Sequence, residues 1–290
     1  MHQSGFVSIV GKPNVGKSTL MNKLVGENLS IITAKAQTTR HRIMGILNGA
    51  DFQIVYSDTP GILEPKYDLH EAMMNYVQVS LEDADVILFV VELGEKLDKL
   101  VIDRFQRIKT PIILVINKAD LGKGSQVDDK IAYWKETFKT SEVIAVSAKS
   151  GENVSKILDL VKKYLPEHPG YYPKDTLTDR YERFFAAEII REKIFLNYEQ
   201  EIPYSCEVGI ESFKDEEKMI RISATIFVER DSQKGIVIGK AGSSLKKVGT
   251  EARKDLETFF NKKVFLETHV KVAENWRKQK QRLKQFGYLQ

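Results

Sequence analysis

Five short runs of apolar, mostly β-branched residues organise the first half of this 290-residue chain: Phe6–Val10, Phe52–Ser57, Val86–Val91, Ile112–Ile116 and Val143–Val146. Their hydrophobicity is continuous rather than alternating. A strand with no wet face must be covered on both sides, which calls for a mostly parallel sheet with helices on both faces. Helical stretches at Lys17–Val25, Asp98–Lys109 and Val154–Tyr164 supply covers. In such sheets ligands gather at the carboxyl ends of the strands, so chemistry is expected in the loops that follow these runs.

The first of those loops is Gly11-Lys12-Pro13-Asn14-Val15-Gly16-Lys17-Ser18-Thr19. It sits between a strand and a helix, where backbone N–H groups can wrap phosphates at a helix N-terminus. Its glycines allow that wrapping, Lys17 brings a cation to the β and γ phosphates, and the Ser18 hydroxyl is suited to Mg²⁺. Asp58-Thr59-Pro60-Gly61 follows the second run. Asp58 is placed to hold Mg²⁺ through water, and the Gly61 N–H to sense the γ-phosphate. Between these two motifs a threonine has to reach the metal and the γ-phosphate. Thr38 and Thr39 both qualify, with Thr39 favoured. Neighbouring Arg40, His41 and Arg42 read as solvent-facing basic strand residues.

Asn117-Lys118-Ala119-Asp120 follows the fourth run. A carboxylate there accepts both N1–H and N2–H₂ of guanine, a donor pair that adenine lacks, so the wrong base leaves Asp120 unpaired. Lys118 can lay its stem over the base and Asn117 can tie the loops together. Ser147-Ala148-Lys149 ends the last run, with the Ala148 N–H aimed at guanine O6. The ordered set predicts a site for GTP and GDP, with Lys17, Thr39, Gly61 and Asn14 nearest to catalysis.

Leu165–Pro173, with three prolines and a glycine, marks a break. The expected division is a phosphate-loop domain over 1–166, a linker over 167–179 and a second domain over 180–290. That second half reads as an amphipathic helix at Arg180–Tyr198 and strands at Ser205–Phe213 and Met219–Arg230. A short helix before Gly239, a longer one from Gly242 to Phe260, a strand at Val264–Val270 and a basic helix at Glu274–Gln285 complete it. Ile236-Val237-Ile238-Gly239-Lys240-Ala241-Gly242 places a G-x-x-G loop between two helices, where a nucleic-acid backbone can approach closely.

Charge supports that reading. Residues 1–170 hold 21 basic and 21 acidic side chains, so the net +4 comes from the second half. Residues 232–254 hold six basic and one acidic, and 275–290 hold five basic and none acidic, which points to a polyanionic partner. Lys234, Ile236, Ile238, Gly239, Lys240, Ala241, Gly242, Lys246 and Lys247 are the candidate RNA contacts, with Trp276 and Arg277 from the terminal segment. That basic segment could instead approach an anionic membrane surface. The single Cys206 reads as core filler, and no apolar run approaches the roughly 20 residues of a membrane span. The expected location is the cytoplasm, with a peripheral fraction at the inner membrane face.

Taken together, GKPNVGKSTLMNKL, KAQTTRHRI, DTPG, NKAD, SAKSG, YYPKDTLTDR, RFFAAEIIREKIF and GIVIGKAG make the chain closely resemble the Era family of bacterial GTPases over nearly its whole length. The resemblance implies an α/β phosphate-loop GTPase domain followed by an α+β type II KH domain. It also implies a monomer that hydrolyses GTP slowly with Mg²⁺, and that binds the 3′ end of 16S ribosomal RNA and the immature small (30S) ribosomal subunit during assembly. Where Ras-like proteins place a water-orienting glutamine, this chain has Ile62, so the water must be oriented by another route. In related GTPases an asparagine at the place of Asn14 helps bind K⁺ beside the phosphates, which extends that expectation here; a turn-stabilising role is its alternative. An RNA chaperone with nucleotide as a structural ligand and a membrane-associated signalling GTPase are the competing functional classes.

Overall fold

The structure is a computed structural model that describes residues 2–97, 99–138 and 142–289, without the side chains of residues 99, 100 and 104. The chain divides into two units: Met1–Glu64 with Met73–Asp179, and Pro65–Ala72 with Arg180–Gln290.

In the first unit the order is β1 (Gln3–Val10), α1 (Lys17–Val25), β2 (Ile43–Asn48), β3 (Phe52–Asp58), α2 (Asp68–Glu82), β4 (Val86–Glu92), α3 (Lys99–Gln106), β5 (Ile112–Asn117), α4 (Gln126–Phe138), β6 (Val143–Ala145) and α5 (Val154–Lys162); α2 begins in residues grouped with the second unit. The expected helix from Asp98 starts at a residue outside the described ones. The sheet runs β2-β3-β1-β4-β5-β6. Every neighbouring pair is parallel except β2 with β3. All of Val86–Val91 is buried, as continuous hydrophobicity requires. Phe89 packs against Phe105 and Phe138, and Trp134 lies fully buried beside Phe138.

Strand β2 was not legible as a buried strand. Gly45 weakens its pattern, yet an added Cβ there would come within 2.8 Å of Val25 Cγ2, so the glycine is what lets α1 lie close. The residues just before β2 correct a second expectation. Arg40, His41 and Arg42 are buried rather than solvent-facing. Arg42 Nη1 pairs with Asp83 Oδ2 at 2.5 Å and its Nε donates to Ser57 Oγ.

The proline-rich stretch is laid along the first unit. Ile46 N–H donates to Leu177 O at 2.8 Å, while the buried Gln53 side chain both donates to Tyr172 O and accepts from Tyr172 N–H. Tyr171 packs on Phe6. Edge-strand groups that would otherwise face water are thereby paired.

The second unit contains α6 (Glu182–Asn197), α7 (Ile202–Ser205), β7 (Glu207–Asp215), β8 (Met219–Val228), α8 (Asp231–Ile238), α9 (Ser243–Phe260), β9 (Lys263–Val272) and α10 (Lys280–Gln285). Its sheet, β7-β8-β9, is antiparallel at the first pairing and parallel at the second. Ile190, Ile194, Ala224, Ile226, Val248 and Ala252 form the core between sheet and helices, and Cys206 is buried within it. The terminal segment departs from the expected single helix. It breaks into a 3₁₀ turn at Trp276–Lys278 and α10, because Trp276 turns inward, donating Nε1–H to Ser205 O at 2.8 Å and packing against Phe286 and Tyr288.

Candidate functional site

The loops after β1, β3, β5 and β6 meet around a cavity of about 810 Å³ at the carboxyl edge of the first unit's sheet. Gly16 sits at the N-cap of α1 with φ 95°, and a Cβ there would lie 2.2 Å from Asn117 Nδ2. Only glycine allows the phosphate loop to press against the loop after β5. Gly61 is held to glycine for the same kind of reason, because its Cβ would lie 2.6 Å from Pro13 N. The adjacent Ile62 N–H donates to Gly11 O at 3.0 Å, locking the loop after β3 onto the phosphate loop.

Three oxygens converge at one end of the cavity. Ser18 Oγ donates to Asp58 Oδ2 at 2.7 Å and lies 2.8 Å from Thr39 Oγ1. Thr39 Oγ1 also reaches Asp58 Oδ2 at 3.4 Å. Asp58 Oδ1 is buried without a hydrogen-bond partner, and burial raises this carboxyl above its ordinary range. A hard divalent cation answers both features, since it would satisfy the orphaned oxygen and favour the carboxylate. The donor set therefore fits Mg²⁺. Thr38 is engaged elsewhere: its hydroxyl donates to Lys35 O at 2.7 Å and meets Thr33 Oγ1 at 2.6 Å.

Lys17 is buried, and its Nζ donates to Gly11 O and Lys12 O at 3.1 and 2.8 Å. Desolvation pushes its pKa down to about 8, against the opposing pull of Asp58 and Glu95. An anion would offset that desolvation, which is the physical signature of a phosphate-binding lysine.

At the other end Asn117 ties the loops. Its Nδ2 donates to Val15 O at 2.8 Å, and its Oδ1 accepts the Ala148 N–H at 2.9 Å. That N–H, expected to aim at guanine O6, is thus donated to Asn117 in this conformation. Asp120 lies exposed on a 3₁₀ turn and lines the cavity, so its burial would have to come from a base placed over it. Lys118, at φ 62°, turns its ammonium to Glu92 Oε2 at 2.6 Å.

Of the residues expected from sequence, Pro13, Asn14, Gly16, Lys17, Ser18, Thr19, Thr38, Thr39, Gly61, Asn117, Lys118, Asp120, Ala148 and Lys149 line the cavity. Gly11, Val15 and Asp58 are not among its lining residues. The Lys12 side chain points away, to Glu95, and the buried Ser147 shapes its loop by accepting the Ser150 N–H on Oγ. Sequence reasoning missed Glu92 and the 31–35 segment, which also line the cavity. Glu92 was findable as the last residue of a sheet strand; residues 31–34, ahead of the KAQTTRHRI motif, carry no motif of their own.

In the second unit Gly239 (φ 73°) and Gly242 (φ 77°) bracket the loop between α8 and α9. A Cβ on Gly239 would meet Ser244 Oγ at 2.2 Å and Ser244 N at 3.0 Å. Val237 is buried, which leaves Ile236 54% exposed beside the exposed Lys240, Ala241, Lys246 and Lys247. Lys234, Ile238, Gly239 and Gly242 are half-buried around them. The terminal candidates do not join this surface. Trp276 is wholly buried in the fold, and Arg277 is committed to Glu229, Nη2 to Oε2, at 2.5 Å.

A guanine-reading phosphate-loop domain followed by a unit with a G-x-x-G loop defines a class: GTPases that carry a KH module. Comparison with known proteins agrees. Residues 6–118 match the family described as 50S ribosome-binding GTPase, and residues 201–277 match the KH domain family. The chain is 43% identical to the GTPase Era of Staphylococcus haemolyticus, over all of this chain and 98% of that one. It superposes with TM-score 0.95 at 39% identity on the crystal structure of an Era in complex with MgGDPNP and nucleotides 1506–1542 of 16S ribosomal RNA, covering the whole of both chains. A tyrosine-to-alanine variant of Aquifex aeolicus Era bound to GDP·AlF₄⁻ gives the same TM-score and identity over 99% of this chain and the whole of that one. The chain belongs to the Era family of GTPases.

Proposed function

We propose that this GTPase uses its nucleotide state to control engagement of the 3′ end of small-subunit ribosomal RNA, and that it acts in assembly of the small ribosomal subunit. The supporting observation is the Gly239–Gly242 loop, where the exposed Ile236 and Lys240 side chains flank backbone that positions 239 and 242 owe to glycine. A related Era holds the corresponding RNA segment.

In the catalytic unit, Ser18, Thr39 and Asp58 would hold Mg²⁺, which when bound supplies charge to the β and γ phosphates. Lys17 adds a buried cation, and Gly61 reads the γ-phosphate through its backbone. Ile62 packs partly into the core near Phe89 and cannot polarise water, which implies slow turnover. Asn14 Nδ2 donates to Ala34 O at 3.0 Å, so its Oδ1 is the amide atom left to ligate a monovalent cation. Potassium there would supply the positive charge that an arginine supplies elsewhere. Turnover higher in potassium than in sodium, with the difference abolished in Asn14→Ala, is the expected result.

We place the exposed Lys278, Lys280 and Lys284 on RNA phosphates rather than lipid. Among the described residues no helix is long and apolar enough to cross a membrane. The protein acts as a monomer in this reading. Crosslinking to cellular RNA in the GTP-bound form, then sequencing, tests it. Enrichment at the small-subunit RNA 3′ end is expected; scattered messenger fragments would overturn it.

A further inference from the structure

The end of β4 and the loop that follows it carry two carboxylates, Glu92 and Glu95, to which the nucleotide chemistry above gives no role. Glu95 is the telling one, because its side chain is 7% exposed. A buried carboxylate is costly unless something holds it, so its partners reveal its task. Oε1 lies 3.2 Å from Lys12 Nζ as an ion pair, and the same ammonium donates to Lys96 O. Oε2 accepts the Glu92 N–H at 3.2 Å. The Glu95 backbone is pinned from α4 by Lys130, whose Nζ donates to Glu95 O at 2.6 Å.

Two of these contacts, with Glu92 and with Lys12, lead to the two ends of the nucleotide cavity. Glu92 stands opposite Asn117 in the β4–β5 register, and its Oε2 accepts from Lys118 of the guanine-reading loop. Lys12 belongs to the phosphate loop, and its carbonyl accepts from Lys17. A continuous chain of polar contacts therefore runs Lys118–Glu92–Glu95–Lys12–Lys17. We propose that Glu95 is a positioning residue that holds the phosphate loop and the guanine-reading loop at the separation a guanosine diphosphate or triphosphate requires. The proposal rests on the GTP site described above and adds to it a residue from a loop outside the nucleotide motifs.

The competing explanation is that Glu95 merely caps its own turn while Lys12 is a phosphate ligand that it withholds. The two differ in sign. Under positioning, losing the carboxylate loosens nucleotide; under withholding, it frees Lys12 and tightens nucleotide.

The experiment compares dissociation of fluorescent GDP, affinity for unphosphorylated guanosine, and thermal unfolding for the full-length protein and its variants. Glu95→Gln removes the charge facing Lys12 but keeps an acceptor for the Glu92 N–H. It should speed GDP release about threefold to tenfold, as expected for losing one partly buried ion pair, and leave guanosine affinity unchanged. Glu95→Ala removes both contacts and should weaken guanosine as well. Glu92→Gln probes the other end and should weaken guanosine with little further effect from the phosphates. In the Lys12→Ala, Glu95→Gln double variant the two effects on release should not add, because both remove the same link. Slower GDP release in Glu95→Gln, or release within twofold of the parent, overturns the proposal, as does a fall in unfolding temperature alone. Wild-type protein that fails to prefer GDP over ADP would instead overturn the guanine site itself, so the two failures are distinguishable.

Discussion

Two helices of this molecule begin alike and are used in opposite ways. α1 starts at Gly16 with φ 95° and α9 at Gly242 with φ 77°, both left-handed and both without a side-chain cap. Each presents the positive end of a helix, which favours an anion, although in α9 the Ser243 N–H already donates to Lys240 O. Around Gly16 other loops close in: Asn117 leaves no room for a Cβ, Pro13 meets Gly61, and Lys17 is buried. Around Gly242 a Cβ would meet nothing within 4 Å, and the neighbouring lysines stand in water. On the function proposed here, the same backbone device makes an enclosed seat for a compact polyphosphate in one unit and an open platform for a polymer in the other. What separates them is the company each glycine keeps.

The largest expected effect comes from removing the enclosed cation. Lys17→Ala should lower GTP turnover by about 10³-fold, the scale of losing a preorganised charge in a water-excluded site. RNA binding by nucleotide-free protein, measured by gel shift, should not change. Next, Asp120→Ala should cost about 10²-fold or more in GTP affinity, with ATP affinity unmoved, because only guanine presents the donor pair. Equal loss for both nucleotides would show a collapsed loop instead.

The open loop should yield a smaller and separable effect. In Gly239→Ala the new Cβ presses on Ser244, and a backbone at φ 73°, ψ 176°, a region open essentially only to glycine, adds about 1–3 kcal/mol of strain. Affinity for single-stranded RNA should fall about tenfold while GTP turnover stays at the parental rate; a parallel loss of turnover would deny the independence of the two loops. The smallest effect is electrostatic. Folding lowers the Lys17 pKa from 10.5 to about 8, so empty protein sheds this proton as pH rises through 8 while the unfolded chain keeps it until above 10. Nucleotide needs the charged form. GDP affinity should therefore be flat below about pH 8 and fall by up to tenfold per unit above it, a slope set by linkage to one proton. Calorimetry in buffers of different ionisation heat would detect the proton uptake.

How much of this was readable beforehand depended on distance along the chain. The phosphate loop, DTPG, NKAD and SAK were legible because each is a contiguous peptide whose backbone conformation carries the chemistry. The order of elements around GKAG was legible for the same reason. The failures have one cause. Trp276 looked like an exposed aromatic in a basic helix, but a hydrogen bond to Ser205, far away in sequence, draws it into the core. Arg40, His41 and Arg42 looked wet, and are buried by packing near α2 and β3. Lys12 was legible as a member of the phosphate loop, but that its ammonium pairs with Glu95 was not.

By itself, then, the sequence determined a guanine-nucleotide domain and a glycine-loop RNA module, since glycine positions, strand hydrophobicity and short motifs act through local backbone physics. Only the tertiary structure decided which threonine joins Ser18 and Asp58, where the Lys12 ammonium finds its partner, and which glycine loop is walled in. Those outcomes turn on where a side chain's polar end finds a partner. That partner is supplied by another part of the chain, at a distance no local pattern encodes.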